Sequence, residues 1–179
     1  RAGQLAAALK AVGRHGAGSV VRLRGEAGIG KTRLVGALLA MASAEAIPAH
    51  VATILDFGME RGSDVSRQLA LGLLSLGRGA GPAERAAGAE RALATGRVLP
   101  EHLPLLCHLL DLPVPEAGRA IHAMDEATRR RGRDQALVGL VESACEAGGV
   151  LVVVEALHWA DAAPVDTLTA LAGVTLRRP

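Results

Sequence analysis

The chain has 179 residues, the length of about one domain, and a formal charge of +2, which is too small to indicate a polyanionic partner. Aromatic residues make up only 1% of it, so we expect a core of Ala, Val and Leu. This composition argues against nucleic-acid modules that stack bases on exposed aromatic rings. No apolar stretch approaches the roughly 18 residues of a membrane span. We therefore expect a cytoplasmic domain that binds neither nucleic acid nor a membrane.

The first third of the chain predicts two helices and two strands. Residues 4–12 have leucines at helical spacing, and residues 19–25 are rich in β-branched side chains that run into a glycine cluster. Residues 31–45 again show helical periodicity. Residues 49–58 predict a second strand that ends in a turn. The order helix, strand, helix, strand places the glycine cluster between a strand and a helix.

The middle of the chain, residues 65–148, changes to helical patterns punctuated by Gly and Pro. Val65, Leu69, Leu73 and Leu76 form one stripe, and we interpret the whole stretch as a helical insertion between strands. Its basic run "RRRGRD", residues 129–134, has two interpretations: a nucleic-acid patch, or a solvated helix end beside acidic residues, which we favour.

Residues 149–155, "GVLVVVE", are continuously apolar up to a final carboxylate. Such a run is typical of a strand that is covered on both faces in a parallel sheet. Strands alternating with helices predict an α/β fold.

The glycine cluster "GEAGIGKT", residues 25–32, fits the phosphate-binding pattern G-x-x-x-x-G-K-[ST] at every fixed position. Glycine is needed because the backbone must curl around a phosphate in dihedrals that a Cβ atom disfavours. The lysine supplies a positive charge, the threonine offers a hydroxyl to Mg²⁺, and the helix that follows adds its positive end. We predict that a nucleotide is bound by Gly25, Glu26, Ala27, Gly28, Ile29, Gly30, Lys31, Thr32 and Arg33.

The carboxylate that ends the apolar run is Glu155. An acid at the end of a buried strand can reach a magnesium ion held by Thr32, so we predict Thr32 and Glu155 as metal ligands. His158, Trp159 and Asp161 follow shortly after, and each has a structural alternative, such as a helix cap for Asp161.

Together, "GEAGIGKT" and "VVVEALHWAD" resemble the ATPase domain of signal-transduction ATPases with numerous domains, the STAND class of AAA-type P-loop proteins. The nearest likeness is the ATPase module found beside class III adenylate and guanylate cyclase domains and in LuxR-type regulators. The middle segments "ILDFGMERGSD", "LPLLCHLLDLP" and "AMDEATRRRGRDQAL" also match the cyclase-associated kind. The resemblance implies ATP and Mg²⁺ as ligands and output domains in a parent chain as partners, while oligomerisation is left open.

The resemblance also implies a P-loop three-layer α/β sandwich with a parallel sheet. Because the chain begins at Arg1 and stops at Pro179, we expect a single partial domain over residues 1–179, truncated before its last strands. The family usually has a pair of acids where this chain has Glu155 and Ala156. By resemblance the second acid activates water, so its replacement by Ala156 bears on catalysis.

Three functions remain open at the level of the sequence. The first is an ATP-binding regulatory switch with weak or no hydrolysis. The second is an active ATPase in which Asp161 joins Glu155 as a catalytic residue. The third is an interaction scaffold that works without nucleotide. The sequence favours the first, since its phosphate loop is intact and its second acid is missing.

Overall fold

A computed structural model describes residues 18–26, 28–54, 61–156 and 162–177. Its elements alternate between helices and strands, as the α/β prediction requires, and that prediction is confirmed. In chain order they are α1 (Lys31–Ala44), β1 (Ala49–Thr53), α2 (Arg61–Leu73), α3 (Pro82–Ala94), α4 (Leu103–Leu109), α5 (Glu126–Glu146), β2 (Leu151–Glu155) and α6 (Ala162–Arg177), with 3-10 turns at Pro100–His102 and Glu116–Ala123. The helix predicted at residues 4–12 lies outside the described residues.

The two strands form a parallel pair. Ala49 faces Leu151 at one end of the register and Thr53 faces Glu155 at the other. The ladder continues one residue further, where the amide of Ile54 donates to the carbonyl of Glu155 at 3.1 Å. The carboxyl ends of both strands therefore lie side by side at one edge of the sheet.

Residues 19–25 form no strand, contrary to the sequence prediction. The side chains of Val20 and Val21 are 66% and 51% exposed. A β-strand needs a neighbour to satisfy its backbone groups, and within the described ranges this segment has none. The strand propensity of these residues is therefore not enough to make them form a β-strand.

The hydrophobic core lies between one face of the sheet and the helices that connect β1 to β2. Val65, Leu69 and Leu73 of the predicted helical stripe lie on α2 and are buried, whereas Leu76 lies beyond the end of this helix and is partly buried against the core. Alternate residues of the strands reach this core, because side chains on one face recur every second position. The strand residues and neighbours that pack in this cluster are Ala52, Ile54, Val150, Val152, Val154 and Ala156.

Helix α5 begins at Glu126, next to the basic run 129–134. Asp125 caps it by accepting a hydrogen bond from the Thr128 amide at 2.7 Å. The basic run 129–134 therefore lies inside a helix, and its last two residues, Arg133 and Asp134, are only 9% and 8% exposed. The interpretation of this run as a solvated helix end holds for Arg129 to Arg131, which are half-buried or exposed near the start of the helix. It is wrong for residues 132–134, which are buried because they lie two turns inside the helix.

Two side chains cover the edge of β1 that faces away from β2. The side-chain amide of Gln68 makes the two hydrogen bonds that a neighbouring strand would make with Thr53. Its Oε1 accepts from the Thr53 amide and its Nε2 donates to the Thr53 carbonyl, both at 3.1 Å. Arg78 donates to the Val51 carbonyl at 3.0 Å. Since these bonds use the outward-facing groups of β1, this strand is an edge of the sheet.

Replacement of Gln68 by Leu should lower the free energy of unfolding by about 1–3 kcal/mol, because it leaves two backbone groups of Thr53 without these partners. Chemical denaturation measures the change. Gln135→Leu is the matched control, since Gln135 is exposed on α5, and it should change stability by less than about 0.5 kcal/mol. Equal effects of the two variants would contradict this assignment.

Burial disfavours the charged form of the Asp134 carboxyl group. Its Oδ1 accepts a hydrogen bond from Thr167 Oγ1 at 2.7 Å. Loss of hydration nevertheless dominates, and the pKa of the Asp134 carboxyl is raised above its ordinary value. Because the pKa of Asp134 is higher in the folded than in the unfolded chain, the contribution of Asp134 to stability is greatest below its unfolded-state pKa. That contribution falls as the pH rises through its folded-state pKa.

Asp134→Asn should therefore raise the melting temperature at pH 7, because the amide keeps an acceptor for Thr167 without a charge to desolvate. The gain should shrink as pH falls toward the ordinary aspartate pKa of about 3.9. Thermal unfolding across this pH range measures it. Asp166→Asn serves as the control, since Asp166 is 54% exposed and its ion pair with Arg130 contributes little to stability.

Candidate functional site

The phosphate loop adopts the backbone conformations that its glycines allow. Gly28 has a φ of 78° and Gly30 a φ of 91°, both in the left-handed region that a Cβ atom disfavours. Gly30 is also the residue from which α1 begins, and it offers no side chain to cap the helix. The spacing of the glycines thus fits the curvature of the loop.

Lys31 folds its side chain back over this loop. Its Nζ donates to the carbonyl of Gly25 at 2.8 Å and to the carbonyl of Glu26 at 2.7 Å. The ammonium therefore lies on the concave side of the loop, held by two neutral acceptors. A phosphate oxygen is a stronger acceptor for an ammonium than a carbonyl is, so these bonds can be exchanged for a bound phosphate.

The start of α1 has an electrostatic bias toward anions. Its first turn contains no acidic residue, and the loop region carries Arg22, Arg24, Lys31 and Arg33 against the single acid Glu26. The first amides of a helix have no intrahelical acceptors and add a positive partial charge. Thr32 is exposed in this first turn, where its hydroxyl can reach a ligand.

Helix α1, which follows the phosphate loop, contacts β1 and is joined to it by residues 45–48. Glu155 lies at the carboxyl edge of the sheet, where it is half-buried beside Thr53. This edge is the usual ligand-binding edge of a parallel sheet.

Ala156, immediately after β2, has a φ of 61°. Left-handed backbone costs an L-residue with a Cβ atom roughly 1–2 kcal/mol, while Asp and Asn tolerate it better. The side chain of Ala156 is partly buried against the core. The chain thus keeps a strained alanine at the position where the resemblance implies a second acid.

Four predicted residues lie outside the described ranges: Ala27 of the loop and His158, Trp159 and Asp161 after β2. Their roles stay predictions. Among the described residues, no three His, Cys, Asp or Glu side chains gather into a group that could hold a metal ion. Any magnesium at Thr32 and Glu155 would thus need phosphate oxygens and water to complete its ligands, as is common for this ion at nucleotide sites.

Comparison with known proteins identifies the family. The family described as "AAA ATPase domain" matches residues 1–178. The chain belongs to the AAA ATPase domain family. No curated protein and no solved structure shows a significant match to it. None of this AAA domain's described helices combines the length and the apolar character needed to cross a bilayer.

Sequence reasoning missed the polar side chains that organise the surroundings of the site. Gln68 and Arg78 fall within ordinary amphipathic helix or turn patterns, which gave no signal that they cap a strand edge. The sequence showed Asp134 only as the last residue of a basic run and gave no sign that its side chain is buried. Burial is decided by how α5 packs against α6, and no local pattern reveals that.

The conformation of the loop predicts opposite effects for two identical substitutions. Gly30→Ala should destabilise the domain by roughly 1–2 kcal/mol, since its φ of 91° strains an alanine although no atom obstructs the added Cβ. Gly36→Ala, in the interior of α1 and equally unobstructed, should stabilise it by about 0.5–1 kcal/mol. Denaturant unfolding of both variants checks the sign. A destabilising Gly36→Ala or a neutral Gly30→Ala would show that these backbone conformations are wrong.

Proposed function

We propose that this chain is an ATP-binding regulatory domain of the STAND class, a nucleotide-dependent switch that hydrolyses ATP slowly. The observation that carries the proposal is the folded-back Lys31, whose ammonium is held by two carbonyls inside a glycine loop of matching curvature. Membership in the AAA ATPase domain family supports a nucleotide as the ligand. The choice of adenine over guanine, and of output domains in a parent chain as partners, rests on the resemblance.

The residues that would hold the nucleotide are those of the loop and the first turn of α1. Backbone amides from Gly28 to Thr32 would surround the phosphates, and Lys31 would exchange its carbonyl partners for phosphate oxygens. Glu26, Ala27, Ile29 and Arg33 complete the proposed set. The backbone amides of these residues would donate hydrogen bonds to a bound triphosphate, and Lys31 and Arg33 would add positive charge.

Thr32 and Glu155 fit the requirements of Mg²⁺ by chemistry, because they offer one hydroxyl and one carboxylate, the oxygen donors that this ion prefers. When bound, the ion would supply positive charge to the β- and γ-phosphate oxygens. Glu155 at the end of its strand would keep its carboxylate fixed relative to Thr53 and therefore to the sheet.

Slow hydrolysis follows from position 156. Its methyl group can neither accept a proton nor orient a water molecule, and general-base assistance contributes about 10²–10⁴ in rate. A domain that keeps its nucleotide bound without splitting it suits a switch whose state is set by occupancy. Asp161 is the acid that could replace the missing function, and an active ATPase would depend on it.

Lys31→Ala should weaken Mg-ATP binding by about tenfold or more, since a hydrogen bond to a charged group contributes about 1.5–3 kcal/mol. Isothermal titration calorimetry measures the affinity. Arg91→Ala, which removes an exposed cation from α3, is the matched control and should bind like the unmodified chain. Binding that is unchanged by Lys31→Ala would contradict the proposed site.

Ala156→Asp should raise ATP turnover by at least about tenfold with little change in affinity, a modest part of the general-base range. Ala156→Asn is its matched control, because it has the same shape and also tolerates left-handed backbone but cannot accept a proton. Phosphate release under saturating ATP gives the rates. A rate of about 1 s⁻¹ or more in the unmodified domain, or equal rates for the two variants, would refute the binding-switch interpretation.

A further inference from the structure

An almost fully buried arginine lies near the start of α5. Arg133 is only 9% exposed, whereas the side chain of Glu126, which pairs with it, is 64% exposed. Among the described residues, Glu126 is the only hydrogen-bond partner of this guanidinium: Arg133 Nη2 donates to Glu126 Oε1 at 2.7 Å. Because a guanidinium has five N–H donors, this bond leaves most of the donors of Arg133 unused.

Burial of a guanidinium with so few partners is unfavourable. Taking a cation out of water costs free energy that has to be offset by nearby negative charge and by hydrogen bonds. A single bond to a carboxylate that stays mostly in solvent offsets little of this cost. The unused donors of Arg133 therefore indicate that a further acceptor belongs beside them.

The surroundings of the Arg133–Glu126 pair are basic. Nε and Nη2 of Arg129 each lie 3.2 Å from the second carboxylate oxygen of Glu126, Oε2. His108 is half-buried in the last turn of α4, which contacts both α5 and the 3-10 turn that precedes it. Burial lowers the pKa of His108, and the charges of Arg133, Arg129 and His122 lower it further, against the opposing effect of Glu126. We call Arg129, Arg133, His108 and His122 the basic cluster.

The basic cluster has the charge and the donors that an oxyanion requires. Two guanidinium ions share one carboxylate, and the first turn of α5 adds the positive end of a helix dipole. Guanidinium groups bind phosphate through parallel hydrogen bonds, and a phosphate group offers more acceptor oxygens than a carboxylate does. A phosphate can therefore use the donors that Glu126 leaves without a partner.

We propose that the basic cluster binds a phosphate-type oxyanion, and that Glu126 competes with this anion for Arg129 and Arg133. The cluster belongs to the helices between β1 and β2 and uses none of the residues of the proposed nucleotide loop. The inference therefore goes beyond the proposed function and does not depend on Lys31.

Titration of the isotope-labelled chain with inorganic phosphate, followed by NMR at constant ionic strength, tests the site. The amide signals of residues 122–133 and the Nε–Hε signals of Arg129 and Arg133 should shift saturably at millimolar phosphate. Glu126→Gln should tighten binding by at least about threefold, because it removes a negative charge beside the anion. Arg129→Gln should weaken binding by at least about threefold, because it removes a charged donor but leaves the buried Arg133 in place.

Arg131→Gln is the matched control, because Arg131 is exposed on the same helix and donates to Thr128 rather than to Glu126. It should change the phosphate affinity by less than about twofold, since exposed charges are screened. The proposal is overturned if neither the unmodified chain nor Glu126→Gln shows saturable shifts, or if Arg129→Gln and Arg131→Gln bind alike. Amide signals of residues 28–32 report the nucleotide loop separately, so failure at one site is distinguished from failure at the other.

Glycerol 3-phosphate, titrated in the same way, separates a phosphate ester from the inorganic ion. Shifts with both ligands indicate recognition of the phosphate group itself, and shifts with inorganic phosphate alone indicate a site for the inorganic ion. Either result supports the proposal. Acetate that causes the same shifts at the same concentrations would overturn it, because the cluster would then respond to any anion.

Discussion

The parallel pairing of β1 with β2 is the constraint on which the rest of the domain depends. Because the strands run in the same direction, the chain must return from the carboxyl edge to the amino edge between them, and helices α2 to α5 make this return. The same pairing sets Thr53 beside Glu155 and so fixes where a functional edge can exist. Gln68 and Arg78 close the outer side of β1. The backbone N–H and C=O groups of successive strand residues point to opposite sides of the strand. Those of Val152 and Val154 therefore point away from β1.

The loop before α1 combines a curved backbone with a positive charge that is held against it. Positive φ angles at Gly28 and Gly30 curve the backbone, and the ammonium of Lys31 is held on the concave side by two carbonyls. In the proposed function, a phosphate would take the place of these two carbonyl acceptors.

Two positions of the domain carry a local cost in stability. Ala156 sits in left-handed backbone that its Cβ atom disfavours, and Asp134 holds a carboxyl group whose pKa is raised by burial. Glycine at the first position or asparagine at the second would remove the strain or the desolvation. Local violations of this kind are commonest where a residue serves something other than stability.

The sequence by itself determined the α/β class, the helix after the glycine loop, the strand that ends at Glu155 and the loop's phosphate-binding pattern. These follow from local spacing: two-residue and three-to-four-residue periodicity, and glycine where a Cβ atom is disfavoured. Only the tertiary structure decided that residues 19–25 form no strand and that Asp134 is buried against Thr167. It also decided that the side chain of Gln68, and not a further strand, bonds to Thr53 at the edge of β1. Strand formation and burial depend on which partner lies opposite a residue. Those partners come from distant parts of the chain, and no local pattern specifies them.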